Sequence, residues 1–162
     1  MKNFRIKFAK YLSIVWPFGL IPIAQGTITS FLAACIGFLI NIYIGSEITL
    51  LLAILLGILG LWTTKIYLEK NNKKDPSEVV IDEFSGQLIA TSFAGISPLL
   101  NILAFLSFRF FDILKPSLIK KAENLEGALG VMMDDWIAGI VSALLILIFS
   151  ILFSYENSWI LI

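Results

Sequence analysis

The feature that most constrains this chain is a set of long stretches without a single charged side chain. They cover residues 11–46, 48–64, 84–108 and 136–155. A helix needs roughly 17 to 25 predominantly apolar residues to cross the hydrocarbon core of a bilayer. The whole chain is 58% hydrophobic with a mean hydropathy of +0.90, well above the values typical of a soluble domain. The sequence therefore predicts an integral membrane protein.

The charged residues are distributed unevenly although the net charge is zero. All twelve Lys and Arg residues lie within 2–10, 65–74 and 109–121. Ten of the twelve acidic residues lie within 65–83 and 109–135; the exceptions are Glu47 and Glu156. Positively charged connections stay in the cytoplasm, so the amino terminus, the 65–83 loop and the 109–135 region are predicted to face it. Without a basic excess the chain has no electrostatic footprint for nucleic acid, and we expect no nucleic-acid partner.

Two residue types are informative because they are scarce. The chain has no histidine, which excludes phosphatases and hydrolases that use imidazole as base, ligand or nucleophile. The single cysteine, Cys35, excludes an internal disulfide. Because Cys35 lies inside an apolar run, we expect a buried, unreactive thiol.

Three segments are predicted to be membrane helices, at 31–44, 48–62 and 137–153. A tight external turn at 41–46 joins the first two. We find no internal repeat and expect one domain over residues 1–162. Ahead of the helices, we expect a basic juxtamembrane arm at 1–10 and an interfacial or re-entrant segment at 11–24. Another polar loop is expected at 71–76.

The apolar run at 84–108 has a break at Gly95-Ile96-Ser97-Pro98. A single span would place the charged residues at its two ends on opposite membrane faces and expose the Lys-rich 115–121 segment externally, against the charge rule. A hairpin returns both ends to the cytoplasm. Each arm is then about 12 residues, or about 18 Å, too short to cross a core of about 30 Å alone. We therefore expect a hairpin packed inside the helical bundle.

Two pairs of adjacent carboxylates border apolar runs, Asp82-Glu83 and Asp134-Asp135. Neighbouring carboxylates beside hydrocarbon repel each other and resist desolvation unless a positive charge neutralises them. Hard oxygen ligands without histidine or thiolate suit Mg²⁺. All four residues are predicted to be catalytic and to hold Mg²⁺, with Glu83 and Asp135 as the direct ligands.

An arginine, a carboxylate and a lysine recur every third residue, at Arg109, Asp112 and Lys115. On a helix this spacing places them along one side, and Pro116 is expected to end that helix. We predict that the three bind substrate, with Arg109 and Lys115 on a phosphate and Arg109 also catalytic.

A glycine and several hydroxyl residues precede the first predicted span, in Gln25-Gly26-Thr27-Ile28-Thr29-Ser30. The start of a helix presents free N–H groups to an anion, so Thr27 and Ser30 are candidate substrate-binding residues. The alternative is a plain helix cap without a ligand.

At these residues the sequence resembles the phosphatidylglycerophosphatase A family. The resemblance covers roughly residues 16–150. It runs through Pro22-Ile23-Ala24-Gln25-Gly26-Thr27-Ile28-Thr29-Ser30, Asp75-Pro76-Ser77-Glu78-Val79-Val80-Ile81-Asp82-Glu83-Phe84-Ser85-Gly86-Gln87, Phe108-Arg109-Phe110-Phe111-Asp112-Ile113-Leu114-Lys115-Pro116 and Gly130-Val131-Met132-Met133-Asp134-Asp135-Trp136-Ile137-Ala138-Gly139. The resemblance implies an all-α, multi-pass, Mg²⁺-dependent hydrolase of the bacterial inner (cytoplasmic) membrane. Its active site would face the cytoplasm and convert phosphatidylglycerophosphate to phosphatidylglycerol in phospholipid biosynthesis.

Two positions depart from the family pattern. Members of that family commonly read Pro-Gly-Thr-x-Gly-Ser where this chain has Gln25 and Thr29 in place of the proline and the second glycine. The change alters the backbone of the predicted phosphate cradle, so another lipid phosphate is an open alternative as substrate. A small ion or metal transporter subunit is a second alternative, since polar residues on bundle helices can line a path. The sequence leaves the oligomeric state open.

Overall fold

A computed structural model describes residues 2–71 and 76–158. The described part contains seven α-helices, a short 3₁₀ turn at Phe18–Leu20 and no strand. The helices are α1 (Lys2–Ser13), α2 (Gln25–Tyr43), α3 (Ser46–Asn71), α4 (Ile81–Ser92), α5 (Pro98–Leu114), α6 (Ser117–Glu123) and α7 (Ala128–Ser158). The all-α prediction is confirmed. Most of the predicted loop at 71–76 falls on residues 72–75, which lie outside the described residues.

Three helices are long and apolar enough to cross a membrane, namely Gln25–Tyr43, Ser46–Asn71 and Ala128–Leu152. This confirms three predicted membrane helices, but each is longer than expected. The third begins at Ala128 instead of residue 137, so Asp134 and Asp135 lie inside it. Charged residues marked the limits of the apolar runs but not the limits of the helices, because backbone hydrogen bonding continues into the polar segments.

The run at 84–108 forms the predicted hairpin. α4 ends at Ser92 and α5 begins at Pro98, where proline occupies the first turn and the Ser97 hydroxyl accepts a hydrogen bond from the Leu100 N–H at 3.4 Å. The carboxyl end of α5 returns to the amino end of α4. Asp82, Glu83 and Arg109 consequently line one cavity.

The core of the bundle is α4, which contacts α2, α3, α5 and α7. Every residue of α4 except Glu83 is buried. Its contact with α7 is close because glycines meet there: a Cβ added to Gly139 would lie 3.0 Å from the carbonyl carbon of Gly86, and one added to Gly86 would lie 2.6 Å from the Asp135 carbonyl oxygen. Small residues of this kind let membrane helices approach closely.

The outward faces of the three long helices are apolar and exposed, as at Leu39, Ile58 and Ile148. Cys35 also lies on this outward surface, so the expectation of a buried thiol was wrong. An apolar run has no polar stripe to indicate which face points inward, and lipid is as apolar as the protein core.

The predicted basic arm at 1–10 is the first part of helix α1. Ala9 of α1 is fully buried against the bundle, and the ring centre of Phe8 lies 6.3 Å from that of Trp62 of α3. The Arg5 guanidinium lies 5.4 Å from the centre of the Trp62 ring, a cation–π distance. The end of α1 contacts the start of α4, since the Val80 N–H donates to the Ser13 carbonyl at 3.0 Å.

Candidate active site

One large cavity of about 1040 Å³ opens at the end of the bundle where α2 and α4 begin and α5 ends. Eight of the nine predicted site residues line this cavity: Thr27, Asp82, Glu83, Arg109, Asp112, Lys115, Asp134 and Asp135. The ninth, Ser30, lies one turn deeper on α2 and is buried. Residues far apart in the sequence therefore converge on one space, as the charge pattern predicted.

Three of the four paired carboxylates form a cluster. Oxygens of Asp82, Glu83 and Asp135 all lie within 4.8 Å of one another. Asp82 is 6% exposed and Asp135 is 4% exposed. Two of the oxygens, Glu83 Oε2 and Asp135 Oδ1, are buried without a hydrogen-bond partner among the described residues. Such a cluster of buried, unpartnered anionic atoms is costly unless a cation joins it.

Helix α4 carries two members of the cluster in its first turn. The Asp82 Oδ1 accepts a hydrogen bond from the Glu83 N–H at 3.0 Å. Burial raises the pKa of Asp82 well above its usual value, and the neighbouring Glu83 charge raises it further. Burial raises the pKa of Glu83 as well, against the opposing effects of its hydrogen bond to Asp82 and of Arg109. Both carboxyls consequently hold their negative charge poorly without a cation.

Asp134 has a different environment from Asp135, although the two are adjacent. Its Oδ2 accepts a hydrogen bond from Lys115 Nζ at 2.9 Å, and the same ammonium lies 2.7 Å from Glu123 Oε1. Partial burial alone lowers the pKa of Lys115, but the two carboxylates outweigh that effect and raise its pKa above the usual value. Lys115 thus stays charged and neutralises Asp134, which lies outside the three-carboxylate cluster.

Arg109 occupies the last turns of α5 and faces both the cavity and α2. Its Nη1 donates to Asp112 Oδ2 in a close ion pair and lies 3.4 Å from the Ser30 hydroxyl. Its Nε is buried without a partner among the residues described here. The helix ends at Leu114 as Pro116 predicted, and Lys115 follows in a left-handed conformation, with φ of 44°.

The amino end of α2 is also part of the cavity wall, through Gln25, Gly26 and Thr27. No side chain in the described structure caps this helix; Ala24 precedes it in a left-handed conformation, with φ of 51°. The alternative of a plain helix cap is therefore wrong. The hydroxyl residues lie inside the helix, where the Ser30 hydroxyl donates to the Gly26 carbonyl at 2.8 Å. The Ile28 N–H is the first of α2 to make a backbone hydrogen bond, and the N–H groups of residues 25–27 have no backbone partner within the described residues.

Gly26 permits the contact between α2 and the charged groups. A Cβ added at this position would collide with Glu83 Oε1 and would lie 3.5 Å from Arg109 Nη1. Any larger residue would displace one of the two side chains.

Sequence reasoning missed several polar groups of the cavity. Gln25 Nε2 donates to the Ser77 carbonyl, which ties the start of α2 to the segment before α4. Glu123 and Asn124 line the cavity from the end of α6. Residues 120–126 read as a solvated linker, and nothing in their spacing indicates a contact with Lys115.

Comparison with known proteins identifies the family. Residues 11–150 match the family model described as Phosphatidylglycerophosphatase A. A relative from Haemophilus influenzae named phosphatidylglycerophosphatase A is 33% identical over 137 residues, covering 83% of this chain and 84% of the relative. A relative from Bacteroides thetaiotaomicron, provisionally named phosphatidylinositol-3-phosphatase, is 38% identical over 143 residues, covering 79% of this chain and 84% of the relative. No solved structure matches.

Both relatives carry the names of lipid phosphatases, and the paired carboxylates of this chain gather at one end of the bundle instead of along a path through it. The transporter alternative therefore has no support. The match of the family model and the two relatives show that this membrane protein belongs to the phosphatidylglycerophosphatase A family of lipid phosphatases.

Proposed function

We propose that this protein hydrolyses the terminal phosphate of phosphatidylglycerophosphate in a Mg²⁺-dependent reaction that yields phosphatidylglycerol and inorganic phosphate. The observation that carries the proposal is the convergence of the Asp82, Glu83 and Asp135 carboxylates within 4.8 Å, in a cavity that also contains Arg109. Acidic oxygens for a hard cation and a guanidinium for phosphate are the groups that such a reaction requires.

The donor set fits Mg²⁺. Three carboxylates from two helices offer hard oxygen ligands, and Glu83 Oε2 and Asp135 Oδ1 are buried with no other partner among the described residues. Mg²⁺ usually takes one or two carboxylates and keeps several waters, which the roomy cavity permits. We assign Asp82, Glu83 and Asp135 as its binding residues. A bound Mg²⁺ polarises a phosphoryl oxygen and lowers the pKa of a coordinated water.

The remaining groups of the cavity bind and orient the phosphate. Arg109 offers planar N–H donors, and its Nε, which has no partner among the described residues, leaves one donor for a phosphoryl oxygen. The start of α2 adds positive potential at another part of the wall, and Lys115, held between Asp134 and Glu123, offers its ammonium as a further donor. Hydrolysis breaks the bond between phosphorus and the glycerol oxygen; water supplies the new oxygen of phosphate, and the glycerol oxygen takes a proton.

We further propose that the cavity opens towards the cytoplasm of a bacterial cell, in its inner membrane. The support is the charge rule: the sequence has all twelve Lys and Arg within 2–10, 65–74 and 109–121, and Arg109 and Lys115 of this set line the cavity, whereas Glu47 lies at the start of α3, near the opposite turn. A lipid substrate in the cytoplasmic leaflet then reaches the cavity with its headgroup while its acyl chains stay in the bilayer.

The test is phosphate release by the purified, detergent-solubilised protein from phosphatidylglycerophosphate. We expect turnover with Mg²⁺, none in excess chelator, and restoration when Mg²⁺ is returned. Asp135→Asn should be inactive, whereas Glu69→Gln, an exposed carboxylate on α3 outside the cavity, should match the wild type. Turnover that persists undiminished in excess chelator would overturn the metal-dependent mechanism.

A second candidate substrate is a phosphoinositide carrying a 3-phosphate. Two observations favour it: the relative with 38% identity bears that name, and a cavity of about 1040 Å³ is large enough for a cyclic polyol headgroup. Phosphatidylglycerophosphate, phosphatidylinositol 3-phosphate and phosphatidic acid should be compared under the same conditions. A higher kcat/KM for the phosphoinositide would replace the proposed substrate and leave the proposed site unchanged.

A further inference from the structure

A second polar cluster lies at the end of the bundle away from the cavity. Asn41 near the end of α2 donates from Nδ2 to the Thr91 carbonyl at 2.9 Å and to the Gly95 carbonyl at 3.1 Å. Asn101 of α5 donates from Nδ2 to the Gly95 and Ser97 carbonyls at 2.9 and 2.8 Å. Both asparagines are buried, at 5% and 7% exposure. None of these residues lines the cavity.

These hydrogen bonds satisfy backbone carbonyls that the hairpin leaves without helical partners. A helix leaves its last four carbonyls without helical partners, and α4 ends inside the bundle. Water is scarce at that depth, and an unsatisfied backbone group in hydrocarbon costs several kcal/mol. The turn supplies some of the missing donors itself, since the Ala94 N–H reaches the Thr91 carbonyl at 3.1 Å. Asn41 adds a donor from a separate helix, so it ties the broken end of α4 to α2.

The orientation of the Asn41 side chain is determined by its partners. Carbonyls only accept hydrogen bonds, so the amide nitrogen must face Thr91 and Gly95. The amide oxygen then faces Thr49, whose hydroxyl donates to it at 2.6 Å. Thr49 begins the second turn of α3 and is fully buried. Asn41 therefore joins α2, α3 and the hairpin turn through a single side chain.

A line of side chains leads from this junction to the carboxylates. Thr91, Gln87 and Glu83 are each four residues apart, so they lie along one face of α4. Gln87 Nε2 donates to the Thr91 hydroxyl at 3.0 Å, and both residues are fully buried. A shift or rotation of α4 that followed loss of the Asn41 bonds would carry Glu83 with it, because packed helices move as rigid elements.

We propose that Asn41 is a positioning residue for the carboxylate cluster. By holding the end of α4 to α2 and α3, it sets the depth of the hairpin and thereby the place of Glu83 relative to Asp135. The inference rests on the proposed function for its cation-binding readout, but not for its structural readout.

The test compares Asn41→Leu, which keeps the volume and removes both donors, with wild type in detergent. Mn²⁺ binding followed by electron paramagnetic resonance reports the site without turnover, and hydrogen exchange of the α4 amides reports the hairpin without metal. We expect Asn41→Leu to weaken Mn²⁺ binding about 3- to 30-fold, the range typical of residues that act through a packed network. The amides of 88–92 should exchange faster.

Two variants separate positioning from general loss of stability. Thr49→Val keeps the shape and removes the hydroxyl that donates to Asn41 at 2.6 Å and, more weakly, to the Gly37 carbonyl at 3.4 Å, so it should show the same effects in smaller degree. Ile146→Ala removes a fully buried side chain of α7 that makes none of these bonds, and should lower the melting temperature without weakening Mn²⁺ binding.

Each outcome decides a separate question. Wild-type protein that fails to bind Mn²⁺ would overturn the proposed metal site, and the positioning role would then be decided by the exchange rates alone. Wild-type binding of Mn²⁺ with unchanged affinity in Asn41→Leu would overturn the positioning role and leave the proposed function intact. Unchanged exchange in α4 would do the same.

Discussion

Lys115 Nζ lies 2.9 Å from Asp134 Oδ2, whereas Asp135, the next residue, has an oxygen without any hydrogen-bond partner in the part of the chain described. Neighbours on a helix point about 100° apart, so one carboxylate of the pair faces the lysine and the other faces Asp82 and Glu83. Two adjacent residues of the same type therefore have different roles.

The first prediction concerns this difference. Asp135→Asn should abolish measurable turnover and Mn²⁺ binding, because it removes a charge from the three-carboxylate cluster. Asp134→Asn should keep Mn²⁺ binding and lose only about 10- to 100-fold in kcat, as is typical when a supporting group outside the metal ligands is removed. Titration of both variants with Mg²⁺ and Mn²⁺ checks this. Equal losses of metal affinity in the two would contradict the assignment.

The same reasoning extends to the other pair. Asp82 and Glu83 both belong to the cluster, so Asp82→Asn and Glu83→Gln should each raise the Mg²⁺ concentration needed for half-maximal turnover. The sequence favoured Glu83 alone as the direct ligand of this pair. Because oxygens of both residues belong to the cluster, Asp82 is an equally good candidate for a direct ligand. If all four carboxylate variants kept full turnover, the metal site would have to lie elsewhere.

Much of this arrangement was predictable because hydropathy and charge distribution can be read directly from the sequence. Charge-free runs fix which segments enter the membrane, and the charge rule together with the break before Pro98 predicts the hairpin. The ion pair of Arg109 with Asp112 joins residues three apart on α5, so the spacing already indicated it. The pairing of Lys115 with Asp134 was not predictable in this way, because it depends on the angle at which α5 and α7 meet.

Helix limits and burial were less predictable for the same reason. α7 begins at Ala128, before its two aspartates, because the cavity provides a polar environment that an apolar-run count cannot include. Cys35 is exposed because the outward face of a membrane helix is as apolar as its inward face. The hydrogen bonds of Asn41 to the end of α4 could not be predicted from the sequence either, since an asparagine in a predicted turn is expected to serve that turn.

A second prediction concerns the close contact between α4 and α7 at Gly86. Gly86→Ala should lower turnover and thermal stability together, since the added Cβ would lie 2.6 Å from the Asp135 carbonyl oxygen and 2.8 Å from the Phe108 ring. Overpacking of this kind costs about 1–3 kcal/mol, and here the backbone that yields carries Asp135. Thermal unfolding and kcat check both effects.

The control for that variant is Gly95→Asn in the hairpin turn. A Cβ at Gly95 meets nothing within 4 Å, and asparagine tolerates the left-handed backbone at φ of 56°. It should behave like the wild type. Gly86→Ala with wild-type turnover would show that the α4–α7 contact does not set the geometry of the cluster.

A third prediction concerns topology. In a Cys35→Ala background, cysteines at Lys70 and Lys120 should react with an impermeant thiol reagent from one side of oriented vesicles, and a cysteine at Glu47 from the other side. All three positions are exposed. Labelling of positions 70 and 120 from opposite sides would replace the re-entrant hairpin by a full span. Labelling of both from the extracytoplasmic side would reverse the proposed orientation and leave the fold unchanged.

The last prediction concerns Arg109, whose guanidinium contacts Asp112 and lies 3.4 Å from the Ser30 hydroxyl, while its Nε has no partner within residues 2–71 and 76–158. The terminal phosphate of the proposed substrate carries about −1.5 to −2 charges at neutral pH. A guanidinium follows the redistribution of that charge through fixed N–H donors, whereas lysine keeps the charge without the planar fork. Arg109→Lys should therefore lower kcat roughly 10²-fold or more while Mn²⁺ binding persists.

The competing interpretation is that Arg109 only pairs with Asp112 and reaches the membrane surface. Lysine serves that purpose as well, because its long stem lets the ammonium reach the same carboxylate, and activity would then stay near wild type. Lys70→Arg, at an exposed position of α3 outside the cavity, controls for the exchange of one cation for another and should leave kcat unchanged. A decrease of that size in the kcat of Arg109→Lys, with intact Mn²⁺ binding and an unchanged melting temperature, assigns the guanidinium to the reacting phosphate. An Arg109→Lys enzyme with wild-type kcat removes it from the catalytic residues.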